Sequence, residues 1–240
     1  MLLGSSSEAA AHRRDEWSDH DFFLLAHPGS EAAVRDVDAW LPDPERLVLV
    51  AREGAIGFAA VYDDGHVFEF AAATAAELDG ALATDDVGIP FDDGPAAALI
   101  AASQARVRAT PDIDAANEAR LVLVKLLIGV GRARRGETLV AGQFVHAWAV
   151  TAFTRAVRGR LPVGSSVRDG IDPVRRFERD YPELGEALQT VLAAPVEPAA
   201  RGLFDVLRAT LEPGWEDFPS RAADVVAARL GWASSRSVIS

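Results

Sequence analysis

The spacing of apolar residues changes partway along this chain, and such a change dictates two differently built regions. Up to about residue 98, apolar residues come in short runs broken by turn residues. Met1 to Gly4 reads as a strand that stops at Ser5-Ser6-Ser7, and Phe22 to Ala26 reads as a second. Leu47 to Ala51 and Ala55 to Tyr62 are short and rich in β-branched or aromatic residues. Asp63-Asp64-Gly65 is a turn signal, so His66 to Ala72 is expected to fold back as a hairpin partner. Glu31 to Leu41 and Thr74 to Ala83 have helical spacing. The first half is therefore expected to be an α/β unit, a mixed sheet with flanking helices.

After that point no convincing strand remains. Asn117–Val130, Glu137–Val157, Pro173–Leu192, Pro198–Leu211 and Ser220–Leu230 all read as helices. Phe177, Tyr181, Leu184 and Leu188 recur at three- and four-residue steps and predict one buried face. Pro162, Pro173, Pro198 and Pro219 punctuate the series. A helical bundle over residues 99–240 is expected to follow the α/β unit over residues 1–98, with the boundary between Gly94 and Asp112.

Charge divides the same way. Residues 1–98 hold 20 acidic and 5 basic residues, whereas 99–240 hold 16 and 19. The net charge of −12 argues against a nucleic-acid partner, whose phosphates call for Lys and Arg. There is no cysteine, which excludes disulfides and thiolate metal sites. No apolar run approaches the roughly 20 residues of a membrane span, and no signal peptide is recognisable, so no membrane association and a cytoplasmic address are expected.

The chemistry gathers near the N-terminus. Leu3-Gly4-Ser5-Ser6-Ser7-Glu8 ends a strand, and Ser5 with Glu8 forms a capping-box pattern. A helix start offers free N–H groups that suit phosphate oxygens. Ser18-Asp19-His20-Asp21 then leads into the apolar Phe22-Phe23-Leu24-Leu25. In a strand, residues two apart share a side, so Asp19 and Asp21 stand together and repel each other unless a cation intervenes. Mg²⁺ is the expected cation where carboxylates face nucleotide phosphates.

Over residues 2–25 the chain resembles the DNA polymerase β-type nucleotidyltransferase superfamily, whose pattern is strand, Gly-Ser, short helix, then Asp-x-Asp on the next strand. The long gap before Asp-x-Asp and the helical second half look like its streptomycin and lincosamide adenylyltransferase group. The resemblance implies Mg²⁺ and ATP, with the phosphates on Gly4 and Ser5 and Ser18 as a further contact. It also implies a third carboxylate on a neighbouring strand. Glu69 is the choice, because it interrupts the apolar Val67-Phe68-Glu69-Phe70-Ala71. Phe68 and Phe70 are expected to point one way and Glu69 the other. The family usually has Asp at that place, and it often has Arg-Gly where this chain has Glu8-Ala9-Ala10.

The second half offers fewer chemical residues. Lys125 is the only lysine of the chain and lies in an apolar helix, seven residues after Glu118 and on the same face. Lys125 could reach a triphosphate, and Glu118 could take the proton of an acceptor hydroxyl. The plainer readings are a lysine snorkelling to the surface and a glutamate favoured by a helix dipole. Arg132, Arg134 and Arg135 are read as a solvated helix end, and His146 and Trp148 as core.

The expected function is Mg²⁺-dependent transfer of AMP from ATP to a hydroxyl of a small molecule. An aminoglycoside-like antibiotic is the acceptor class that the resemblance implies, and the acidic first half would attract a cationic one. Asp19, Asp21 and Glu69 hold the metal in this reading, and Glu118 joins them as a catalytic residue. Two alternatives stay open: a non-catalytic, antitoxin-like binding protein with this fold, and an enzyme that nucleotidylates a protein side chain. A homodimer is left open.

Overall fold

The computed structural model describes residues 1–3, 6–8, 12, 14–83, 87–91, 94–110, 112–162 and 172–232. The chain is mixed α/β and divides into two compact units, Met1–Thr110 and Pro111–Ser240. Each is described by itself.

The first unit is built on one six-stranded mixed sheet. Its strands are β1 (Leu2–Leu3), β2 (His20–Ala26), β3 (Leu47–Glu53), β4 (Gly57–Tyr62), β5 (Val67–Thr74) and β6 (Val87–Gly88), in the order β3-β4-β5-β2-β1-β6. Strands β2 and β5 pair in parallel, and the other neighbours pair antiparallel. The β4–β5 hairpin forms where the turn signal places it, with Val61 opposite Val67. Gly65 takes a positive φ of 82° there, and the Asp64 carboxylate accepts the His66 N–H at 3.0 Å.

Alternation along these strands sorts their side chains onto two faces. One face carries Phe22, Phe58, Phe68 and Phe70 with Val37 and Leu41. The other carries Phe23, Leu25, Ala71 and Ala73 with Leu78 and Leu99. Leu99 belongs to α2 (Ala96–Arg108), so this helix, which a division after residue 98 would cut, packs within the first unit.

Two expected helices take other forms. Residues 31–41 give only α1 (Glu31–Arg35) and a 3₁₀ turn at Val37–Ala39. The break at Asp36 coincides with long-range use of Arg35, which bonds Ala72 O and Glu77. Residues 74–83 are not a helix: β5 extends to Thr74 and turns follow. Glu77 folds its carboxylate back onto the Thr74 N–H at 2.9 Å, and Thr74 Oγ1 accepts the Glu77 N–H at 3.2 Å. Those side-chain bonds give the backbone a local alternative to the helix.

In the second unit the described residues form no strand. The helices are α3 (Ala115–Arg134), α4 (Thr138–Gly142), a π-helical stretch (Gln143–Ala149), α5 (Val150–Arg160), α6 (Phe177–Asp180), α7 (Pro182–Leu192), α8 (Val196–Leu211) and α9 (Ser220–Leu230). Asp114 caps α3 by accepting the Asn117 N–H at 2.9 Å. One large apolar core joins them, with Leu123, Leu126, Phe153, Leu203 and Leu207 at its centre. Phe177, Tyr181 and Leu188 are buried as their spacing predicts, and Leu184 packs against them. Gly129 permits a close helix approach, since a Cβ there would lie 2.8 Å from Val145 Cγ2. Among the described residues no helix is long and apolar enough to cross a membrane.

Candidate metal centre

Three carboxylates meet at one end of the first sheet. Asp19 lies just ahead of β2, Asp21 on it, and Glu69 on β5 directly opposite Asp21. Parallel pairing puts residues in register on the same side of the sheet, so strand geometry alone brings Asp21 and Glu69 together. One oxygen from each of Asp19, Asp21 and Glu69 lies within 4.8 Å of the other two. Asp19 and Asp21 are half-buried, and Glu69 is exposed. Among the described residues, neither Asp19 nor Glu69 has an ion pair.

The donor set fits a hard divalent cation, because all three ligands are carboxylate oxygens. The centre stands on rigid elements, since the same faces of β2 and β5 continue into Phe23, Leu25, Ala71 and Ala73 of the core.

Ser6 has a role here that no spacing rule announced. It is buried, donates its hydroxyl to Asp19 O at 3.3 Å, and accepts the Asp21 N–H at 2.9 Å. One side chain thus holds the backbone on both sides of His20. The available signal was a triple serine directly after an apolar strand, but which hydroxyl would turn inward depends on a tertiary contact. Gly4 and Ser5, the expected phosphate contacts, lie outside the described residues. Ser18 is present, but its hydroxyl accepts the Asp15 N–H at 2.9 Å and donates to Asp15 Oδ1 at 3.2 Å, closing a turn.

His20 points to the opposite face, against His66 and Phe68, with ring centroids 4.6 and 4.8 Å away. Burial first, and then the neighbouring His66 and Arg14, hold its pKa below the ordinary histidine value despite Asp19. A groove of about 520 Å³ opens beside Asp19, with Glu16, Trp17 and Ser18 on one wall and Asp64 and His66 on the other. Trp17 is 87% exposed.

Glu118 and Lys125 belong to the second unit. Glu118 is buried, and its Oε1 accepts Arg155 Nε at 2.7 Å. Among the described residues Lys125 pairs with no acid: its Nζ stands 5.7 Å from the Phe144 ring centroid and 5.5 Å from that of Trp148. Trp148 is 44% exposed, so the expectation that it packs in the core is corrected. Phe144 and Trp148, four residues apart in the π-helical stretch, lie with ring centroids 4.6 Å apart, and both flank Lys125. The arginines ending α3 are not simply solvated, since Arg132 and Arg135 pair with Glu137, and Arg134 pairs with Glu197.

No protein-family model matches the chain, and a comparison with curated proteins finds no match.

Proposed function

We propose that the chain is a Mg²⁺-dependent nucleotidyltransferase of the two-domain polymerase β type, moving a nucleotide from a triphosphate, AMP from ATP by resemblance, onto a hydroxyl of a small acceptor. The observation that carries this reading is the meeting of Asp19, Asp21 and Glu69 at one end of two parallel strands. Asp-x-Asp followed by an apolar strand is the sequence half of the argument, and a third carboxylate in register with Asp21 is the structural half.

The roles follow from the chemistry. Asp19, Asp21 and Glu69 would together hold the metal, Glu69 on the side of the attacking hydroxyl. Bound Mg²⁺ would supply charge neutralisation for the triphosphate and acidify the acceptor hydroxyl. The protein's own contribution is positioning: Ser6 fixes the backbone around Asp19 and Asp21, and the core beneath keeps β2 and β5 in register. The groove beside Asp19 offers space next to the carboxylates. The proposal needs neither Glu118 nor Lys125.

The acceptor class follows from charge. The 20 acidic residues before position 98 exceed what three metal ligands require, so a cationic hydroxyl compound is attracted and a polyanion repelled. The test measures pyrophosphate release from each nucleoside triphosphate with Mg²⁺, against a panel of aminoglycosides and lincosamides. Release that needs an acceptor and disappears in Asp21→Asn is expected. No release with any pair, or equal release from the variant, refutes the reading.

A further inference from the structure

The second unit carries a groove of about 390 Å³ lined by Glu118, Leu121 and Lys125 of α3, by Trp148, and by Thr151 and Ala152 of α5. Its charges are not balanced. The Glu118 carboxylate is buried and already met by Arg155. Lys125 has no carboxylate partner among the described residues. Its ammonium instead faces the rings of Phe144 and Trp148. Aromatic faces stabilise a cation through their quadrupole but leave its charge uncancelled. With Glu118 and Arg155 offsetting each other, the groove presents one net positive charge.

Its remaining walls are mostly apolar. Leu121 and Ala152 bring aliphatic surface, and Trp148 leaves 44% of its surface exposed. The volume lies in the range of small-molecule sites, which pair an apolar lining with a few placed polar groups. A cationic ligand would meet the ammonium of Lys125. A neutral hydrocarbon would cover the ammonium without answering its charge.

We propose that this groove binds a small organic anion with a flat apolar body, the anionic group on Lys125 and the ring against Trp148, Leu121 and Ala152. The Thr151 hydroxyl lines the same space and offers a hydrogen bond to the anion or a ring substituent. The site lies wholly in the second unit. It depends on neither the carboxylates of the first unit nor nucleotidyl transfer.

The test is calorimetry on the full chain with 1-naphthoate, 1-naphthylmethylamine and inorganic phosphate as probes. Naphthoate should bind, and the amine and phosphate should not. Lys125→Met and Lys125→Gln should each weaken naphthoate at least tenfold, with the melting temperature within a degree or two of the parent. Trp148→Ala should weaken it several-fold. Asp21→Asn, which disables the first unit's centre, should leave the affinity unchanged. Absent naphthoate binding, undiminished binding in either folded Lys125 variant, or an amine or phosphate that binds as tightly as naphthoate overturns the proposal.

Discussion

The two units differ in where their acidic residues gather. In the second, acids meet arginines: Glu118 with Arg155, Asp180 with Arg158, Glu137 with Arg132 and Arg135, and Glu212 with Arg208. In the first, outlying acids also find arginines, such as Asp63 and Asp64 with Arg46. Asp19, Asp21 and Glu69 also converge on one another. Like charges brought together by a rigid sheet cost stability unless a cation joins them. The contrast separates acids that support a fold from acids that a fold holds ready.

The largest expected effect lies at the most buried pair. Arg158 and Asp180 are 3% and 4% exposed and meet at 2.6 Å, and Arg158 also donates to Pro173 O and Arg175 O. Arg158→Met takes a donor away from the buried Asp180 carboxylate and from the Pro173 and Arg175 carbonyls. It should cost about 3–5 kcal/mol, the usual result of breaking one side of a buried pair. Chemical denaturation measures it. A loss below 1 kcal/mol would mean that pairing is not what stabilises the second unit.

The opposite result is expected at the Asp19, Asp21 and Glu69 cluster. Replacing both Asp19 and Asp21 with Asn should leave the melting temperature unchanged or higher, because repulsion is relieved. Mg²⁺–ATP affinity should fall at least a hundredfold, about 2.7 kcal/mol. Unchanged affinity in calorimetry would remove the metal role and the comparison with it.

Ser6 sharpens the comparison, since it supports the fold and the centre together. Ser6→Ala removes both hydroxyl bonds and should cost about 1 kcal/mol of stability. It should also weaken Mn²⁺ binding several-fold, and Ser6→Thr should restore most of that loss. A stability loss with unaltered Mn²⁺ affinity would leave Ser6 structural only.

How much of this was readable from sequence depends on how local the cause was. The β4–β5 hairpin was legible because Asp63-Asp64-Gly65 supplies its own turn chemistry. Glu69 was legible because a charge stood inside an apolar run, and its opposition to Asp21 follows once β2 and β5 are neighbours. The helix expected at 74–83 failed because Glu77 folds back on Thr74, and helical spacing does not reveal such a competing bond. Ser6, the Arg155–Glu118 pair and the ring pair around Lys125 were hidden for another reason. Each joins segments whose contact is set by tertiary packing, and residue type alone does not choose between equivalent serines or arginines.

The smallest expected effect tests whether ordinary acid–arginine pairs of the second unit contribute measurably. Arg208 donates to Glu212 Oε2 at 2.6 Å and Oε1 at 2.9 Å, one turn apart on the same side of the chain. The hydrogen bond from Arg208 holds the Glu212 pKa below its ordinary value of 4.5, against a smaller opposing effect of burial. A carboxylate whose folded pKa is depressed adds stability above its unfolded value and loses it as pH falls through the folded one. The contribution should therefore be complete at neutral pH and fade as pH falls from about 4.5 through the lower folded value. Both side chains retain about a quarter of their exposure, so an exposed i,i+4 pair of roughly 0.3–0.5 kcal/mol is the fair comparison. Arg208 also reaches Asp224 at 2.7 Å, so Arg208→Gln disturbs two acids, whereas Glu212→Gln isolates one. Glu212→Gln should lower stability by a few tenths of a kcal/mol at pH 7 and by less at pH 3. Urea titrations of parent and variant at both pH values decide it. An equal difference at both would assign the effect to packing of the side chain, and charge pairing would lose its claim on this helix.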